Sequence, residues 1–158
     1  MSSKSIFMRT LYNLWPPFLT AGIHIERISD DLREVDVRMG LHLWNKNIMG
    51  TQFGGSLYAM TDPFYMAMLI EALGKDFIVW DKAASIRFKK PGRGTVYAKF
   101  KLTEAQIQEV RDQATKLDKY EPVFTVQVTD KTGLVICEVD KTIYVRHQSK
   151  LRGGSPPK

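Results

Sequence analysis

At 158 residues, 44% hydrophobic and 25% charged, the chain has the size and make-up of one globular domain that buries a full core without disulfides or a structural metal. Its single cysteine, Cys137, excludes an intramolecular disulfide and a cysteine-based metal cluster; it sits in an apolar run, as a small core residue does, and points to a reducing, cytoplasmic setting. The net charge of +6 suits an anionic ligand, but the basic residues are spread among Asp and Glu with no zinc-finger, RNP or basic-helix pattern, which argues against nucleic acid.

The chain opens with Phe7, Leu11, Leu14 and Trp15 on one helical face, which predicts a short amphipathic helix within residues 1–19 that packs on the domain or on a partner. Arg9, Asn13, Pro16 and Pro17 interrupt the segment, so it is a poor secretory signal. No stretch reaches the roughly 18 apolar residues of a membrane span. Alternation then predicts strands over 22–28 and 33–41, joined by a turn at Ser29-Asp30-Asp31. Residues 43–53 read as loop. Ser56 to Leu73 is nearly free of charge and apolar on all sides, as a helix buried all round would be, and Gly74 is placed to end it. A strand over 83–89, a turn at Pro91-Gly92-Arg93-Gly94 and a hairpin partner over 95–102 follow. Residues 104–119 show helical spacing behind a Thr103/Gln106 capping box. A last hairpin covers 122–129 and 134–145, and 147–158 reads as a disordered tail behind a domain of residues 20–146.

Six strands and one apolar helix imply an α+β fold in which a single antiparallel sheet curls around one long central helix. Such a sheet leaves open edges, and pairing with a second copy would satisfy them, so a homodimer or a dimer of dimers is expected.

Asp62 is the anomaly of the central helix. A carboxylate among apolar residues is paired, exposed to water in a cleft, or protonated. One reading makes it a cap, because Pro63 suits the first position of a helix that starts there. The other makes it functional. Gly54-Gly55 at the helix start leave N–H groups free for a carbonyl oxygen or oxyanion. Asp62 lies seven residues after Gly55, roughly 10 Å along the axis. One molecule cannot easily set both on one carbonyl, whereas two antiparallel copies could.

Asn47-Ile48-Met49-Gly50-Thr51-Gln52-Phe53-Gly54-Gly55, with Asp62 nine residues after Phe53, resembles the hotdog-fold thioesterases of the PaaI type. The common form there is N-x-x-G-T-x-H-G-G followed by an acid on the helix. Ile86 to Gly94 is similar to the family's strand ending in a Pro-rich turn, and the whole looks most like the DUF4442 branch, over roughly residues 20–146. The resemblance implies acyl-CoA thioester hydrolysis at a dimer interface. In it the Gly55 N–H polarises the carbonyl, Asp62 of the other subunit is base or nucleophile, and Asn47 holds the water or the carbonyl. It further implies substrate contacts from Gly54 and Phe53 and a hydroxyl at Ser85, for which a plain surface serine is the other reading. Tyr58, Tyr65 and Met66 around the acid suit an apolar acyl tunnel or ordinary core packing, and Arg87, Lys89, Lys90 and Arg93 suit coenzyme A phosphates or a solvated strand face. Coenzyme A would enter as part of the substrate, an acyl-carrier thioester being the other form, with no separate cofactor and no metal. Phe53 replaces the His of many relatives, and Pro63 after the acid should kink the helix. A non-catalytic hotdog protein that binds acyl chains or acyl-CoA is the alternative.

Overall fold

The computed structural model describes residues 2–151. Its frame is a six-stranded antiparallel sheet of β1 (Ile23–Ile28), β2 (Glu34–Met39), β3 (Phe77–Phe88), β4 (Val96–Lys101), β5 (Val123–Asp130) and β6 (Val135–His147), in the order β1-β2-β4-β5-β6-β3. Alternation drives the inward faces: Val35, Val37 and Met39 of β2, Val96, Ala98 and Phe100 of β4, and Val139, Ile143 and Val145 of β6 are all buried.

Two strand expectations need correction. β3 begins at Phe77, six residues before the predicted start, because Phe77 to Trp80 form a continuous apolar run without the alternation that marks a half-buried strand. Its partner is β6, not β4, which lies between β2 and β5. The Pro-Gly turn that suggested a hairpin is a crossover: Lys89 and Lys90 donate their N–H groups to Ile136 O, carrying β3 along β6 to its end.

The helical stretch expected over 56–73 is present in two pieces, α3 (Gly54–Ala59) and α4 (Phe64–Leu73). Pro63, at the N-cap of α4, has no N–H to continue the ladder. Thr61 and Asp62 instead turn back onto Tyr58 O and Ala59 O. Nor is the stretch buried all round: Leu57, Met60, Phe64, Met68, Leu69 and Leu73 face the sheet, while Ile70 and Glu71 are exposed.

The peripheral helices close the domain. Here α5 (Glu104–Lys116) carries the predicted capping box and buries Ile107, Val110 and Ala114. Its Arg111 donates to Ala72 O at 2.8 Å, capping the end of α4 with a cation. At the other side, α1 (Ser3–Leu14) and α2 (Pro16–Ala21) cover β1. Asn13 bonds both backbone groups of Ile25, at 2.7 and 3.1 Å, in place of a strand neighbour. However, α1 packs through Ser5, Met8 and Tyr12. The apolar face read from the sequence looks outward, with Phe7 65%, Leu11 57% and Leu14 67% exposed. Periodicity reveals that a face exists, not what it meets. At the C-terminal end His147 belongs to β6, and Gln148–Leu151 form a 3-10 turn where a tail was expected. The rest of that tail lies outside the described residues.

Candidate functional site

The break between α3 and α4 places Asp62 over the inner face of the sheet, where it meets Lys141 of β6. The Lys141 side chain is 0% exposed. Its Nζ donates to Asp62 Oδ1 at 2.8 Å and to the Tyr58 hydroxyl at 3.3 Å. Tyr58, half-buried on α3, donates its own hydroxyl proton to the same Asp62 Oδ1 at 2.8 Å. Asp81 of β3 stands on the other side, its Oδ1 3.1 Å from Nζ. That oxygen is buried, near enough for the charge though not aligned for a hydrogen bond.

Burial opposes the charge of Lys141, but the Asp62 hydrogen bond and the charges of Asp62 and Asp81 outweigh it, so its pKa lies above the ordinary lysine value. Burial pushes the Asp81 carboxyl up, with Lys141 pulling the other way and Asp62 adding repulsion. Tyr58 is raised chiefly by burial and next by its bond to Asp62. Asp62 itself is 45% exposed. Both donors use Oδ1; no donor among the described residues reaches Oδ2.

At the start of α3, Gly54, Gly55 and Ser56 lie in the first turn, where N–H groups have no helical acceptor. Aromatic rings crowd the two glycines. A Cβ on Gly54 would stand 2.9 Å from Phe88 Cζ, and one on Gly55 would stand 2.5 Å from Phe53 Cε1. A cleft of about 440 Å³ passes Gly54, with Leu57 and Phe88 on its apolar side and Lys89 and Lys90 on its polar side. It shares Lys90 and Pro91 with a neighbouring groove of about 580 Å³ that also holds Arg93, Tyr97 and Lys131. Asp62 lines neither. Within one copy of the chain the carboxylate thus lies outside the cleft that passes the glycine turn.

The other expected residues divide. Asn47 spends its amide on its own loop: Oδ1 accepts from Met49 N and Thr51 N, and Nδ2 donates to the Thr51 hydroxyl and Gln52 O. Tyr65 is a core residue whose hydroxyl donates to Thr125 O at 3.2 Å, and Met66 packs half-buried against the core. Ser85 is exposed on β3 opposite Asp140, on the outer face of the sheet. Arg87, beside it, is bound by Glu138 and Asp140, both at 2.6 Å, which hold its pKa above the ordinary value. That pairing occupies the guanidinium expected for phosphates. Lys90 and Arg93 form no ion pair among the described residues, Lys89 meets Glu138 through its charge alone, and all three face the two cavities.

Sequence reading missed Lys141 and Asp81. The signal for Lys141 was there: it sits in phase with Val139, Ile143 and Val145, a lone cation among inward positions. Asp81, one residue past the apolar run Phe77 to Trp80, lay outside the predicted strand. Among the described residues no group of three His, Cys, Asp or Glu is placed to hold a metal ion.

The family model described as Domain of unknown function (DUF4442) matches residues 3–145, and the chain belongs to that family. No curated protein matches it in sequence. Among solved structures, a protein of unknown function from Pseudomonas aeruginosa superposes with a TM-score of 0.77 at 21% identity, covering 93% of this chain and 97% of that one. A thioesterase from Haemophilus influenzae gives 0.66 at 13% identity, covering 94% of each chain. A variant thioesterase of Pseudomonas aeruginosa gives 0.66 at 11%, covering 92% of this chain and 96% of that one. The fold is the hotdog fold of these thioesterases.

Proposed function

We propose that this DUF4442 member is an acyl-CoA thioesterase whose active site is completed by a second copy of the chain. One observation carries the reading: a half-exposed carboxylate, Asp62, anchored through one oxygen and free at the other, at the position where the hotdog thioesterase pattern has its acid. The separation of Asp62 from the cleft at Gly54 supports a site shared between copies. So does β3, a twelve-residue edge strand in which Ala83, Ala84 and Phe88 are exposed.

In this scheme the thioester carbonyl sits at the Gly55 N–H of one copy. Because α3 is only six residues long, the turn acts through its N–H donors more than through a helix dipole. Water adds to the thioester carbon, and its proton passes to Asp62 Oδ2 of the other copy. The C–S bond then breaks, the proton returns to the departing thiolate, and a free acid and a thiol leave. Asn47 shapes the loop that presents Gly54 and Gly55. The unpaired cations Lys90 and Arg93 favour coenzyme A, with its phosphates, over a bare pantetheine arm.

Thiol release from acyl-CoA esters of short, long and aromatic acyl groups tests this, for wild type beside Asp62→Ala. Turnover that falls by about a hundredfold or more in a folded dimeric variant supports the hydrolase. A second reading, a protein that binds acyl thioesters without cleaving them, is favoured by the Lys141 pairing, which gives Asp62 a structural use. Binding with no turnover in the wild type would select it.

A further inference from the structure

Lys141 has a feature that ordinary packing does not explain. It is an ammonium fully buried between Val139 and Ile143 of β6, and its three polar partners come from three separate elements: Tyr58 from α3, Asp62 from the helix break and Asp81 from β3. An isolated charge in that position is strongly unfavourable, and apolar residues of similar volume serve a core at least as well.

The edge strand is built around this contact. β3 bulges at Lys82: Asp81 stands opposite Ile143, Ala83 opposite Thr142 and Ala84 opposite Lys141. Upstream of the bulge the inward positions are Phe77, Val79 and Asp81, matching Val145 and Ile143 across the ladder; downstream they are Ala84, Ile86 and Phe88, matching Lys141, Val139 and Cys137. In an unbulged strand, Asp81 and Phe88 would lie on opposite faces. The extra residue lets Asp81 reach Lys141 while Phe88 still abuts Gly54.

We propose that Lys141 is a positioning residue for thioester hydrolysis, pinning Asp62 Oδ1 to the sheet so that Oδ2 meets the reactant, with Asp81 as the counter-charge that stays when Asp62 takes up a proton. The inference rests on the hydrolytic reading above. Two donors on Oδ1 fix the plane of the carboxylate. As Asp62 passes from anion to acid and back, Lys141 would lose its nearest negative partner inside the core. Asp81, 3.1 Å away, keeps the ammonium paired through the cycle. The Tyr58 ring, 5.2 Å from Nζ, closes the remaining side.

The test measures kcat and KM of the full chain on an acyl-CoA ester that the wild type cleaves, together with thermal melts and sedimentation. The variants are Lys141→Met, Lys141→Met with Asp81→Asn, and each of these in an Asp62→Asn background. The double variant removes the second carboxylate together with the ammonium, so that Asp62, itself 45% exposed, is the one partner left behind, and Asp81→Asn alone, with the same loss in kcat expected, replaces it should Lys141→Met not fold. The expected result is a loss of about tenfold or more in kcat with KM within about twofold, in protein that melts and sediments as a folded dimer, and no further loss once Asp62 is Asn. An unchanged kcat in the folded variants overturns the role of Lys141 while leaving the hydrolase standing. A loss that persists undiminished in the Asp62→Asn background also overturns it, because Lys141 would then act independently of Asp62. A wild type that cleaves no thioester overturns the hydrolytic reading and this one with it.

Discussion

Gly92 backs onto Gln52 so closely that an added Cβ would stand 2.9 Å from Gln52 Cγ and 3.2 Å from its Cβ. The contact joins the two sequence blocks on which the family likeness rests, the loop before α3 and the turn after β3. Gln52 N donates to Gly92 O at 2.9 Å, and Gln52 Nε2 reaches Gly94 O at 3.0 Å. Gln52 is buried, so it cannot swing away. Gly92→Ala should cost about 1–3 kcal/mol by overpacking, read as a lowered denaturant midpoint at unchanged m-value. A wild-type midpoint would show that the two blocks are not rigidly joined.

Gly54→Ala makes a contrast. The atom it would meet is the tip of Phe88, an exposed ring able to turn aside. Stability should stay within about 0.5 kcal/mol of wild type. The displaced ring narrows the cleft, so KM for acyl-CoA esters should rise, and an unchanged KM would remove that cleft from the substrate path.

Arg93→Glu and Lys90→Glu should raise KM for an acyl-CoA by about tenfold each at low salt and leave the matching acyl-pantetheine ester unaffected, since that ester lacks the nucleotide phosphates. Arg87→Glu should do much less to KM, because Arg87 is already held by Glu138 and Asp140. Equal losses on both esters would place the phosphates elsewhere.

Thr103 accepts from Gln106 N at 3.2 Å, and the Gln106 side chain returns the bond to Thr103 N at 2.9 Å. Thr103→Ala should cost about 1 kcal/mol, measured by chemical denaturation. The site lies on α5, far along the chain from Asp62, and activity per folded molecule should not change.

Cys137 is buried, and burial pushes its thiol up to about 11. At pH 8 it is both protonated and covered. A disulfide reagent should leave the native protein unlabelled over the time in which denatured chain reacts completely. Rapid labelling under native conditions would mean that β6 opens locally, and with it the strand that carries Lys141.

Local features were legible where the chain itself fixes them. Capping at Thr103, the alternation of β2, and the last hairpin all depend on neighbours within a few residues. The motif around Gly54 and the acid at Asp62 came from pattern and resemblance. What escaped depends on distance along the chain. The partner of Asp62 is 79 residues away, and the partner of β3 lies beyond two further strands and a helix. The outward turn of Phe7, Leu11 and Leu14 escaped for another reason: α1 docks through the small Ser5 and the amphipathic Tyr12, which hydropathy ranks below the residues it exposes.

The strand order also sets a schedule for folding. β3 is made in the middle of the chain, yet among the described residues its only strand partner is β6, near the end. A growing polypeptide therefore carries a long unpaired β3, with Asp62 and Asp81 awaiting a counter-ion, until residues 135–147 have been made. Non-local closure of this kind is slow and leaves sheet edges open to other chains. Lys141 arrives on the strand that completes the sheet, so the step that closes the fold is the same step that fixes the carboxylate.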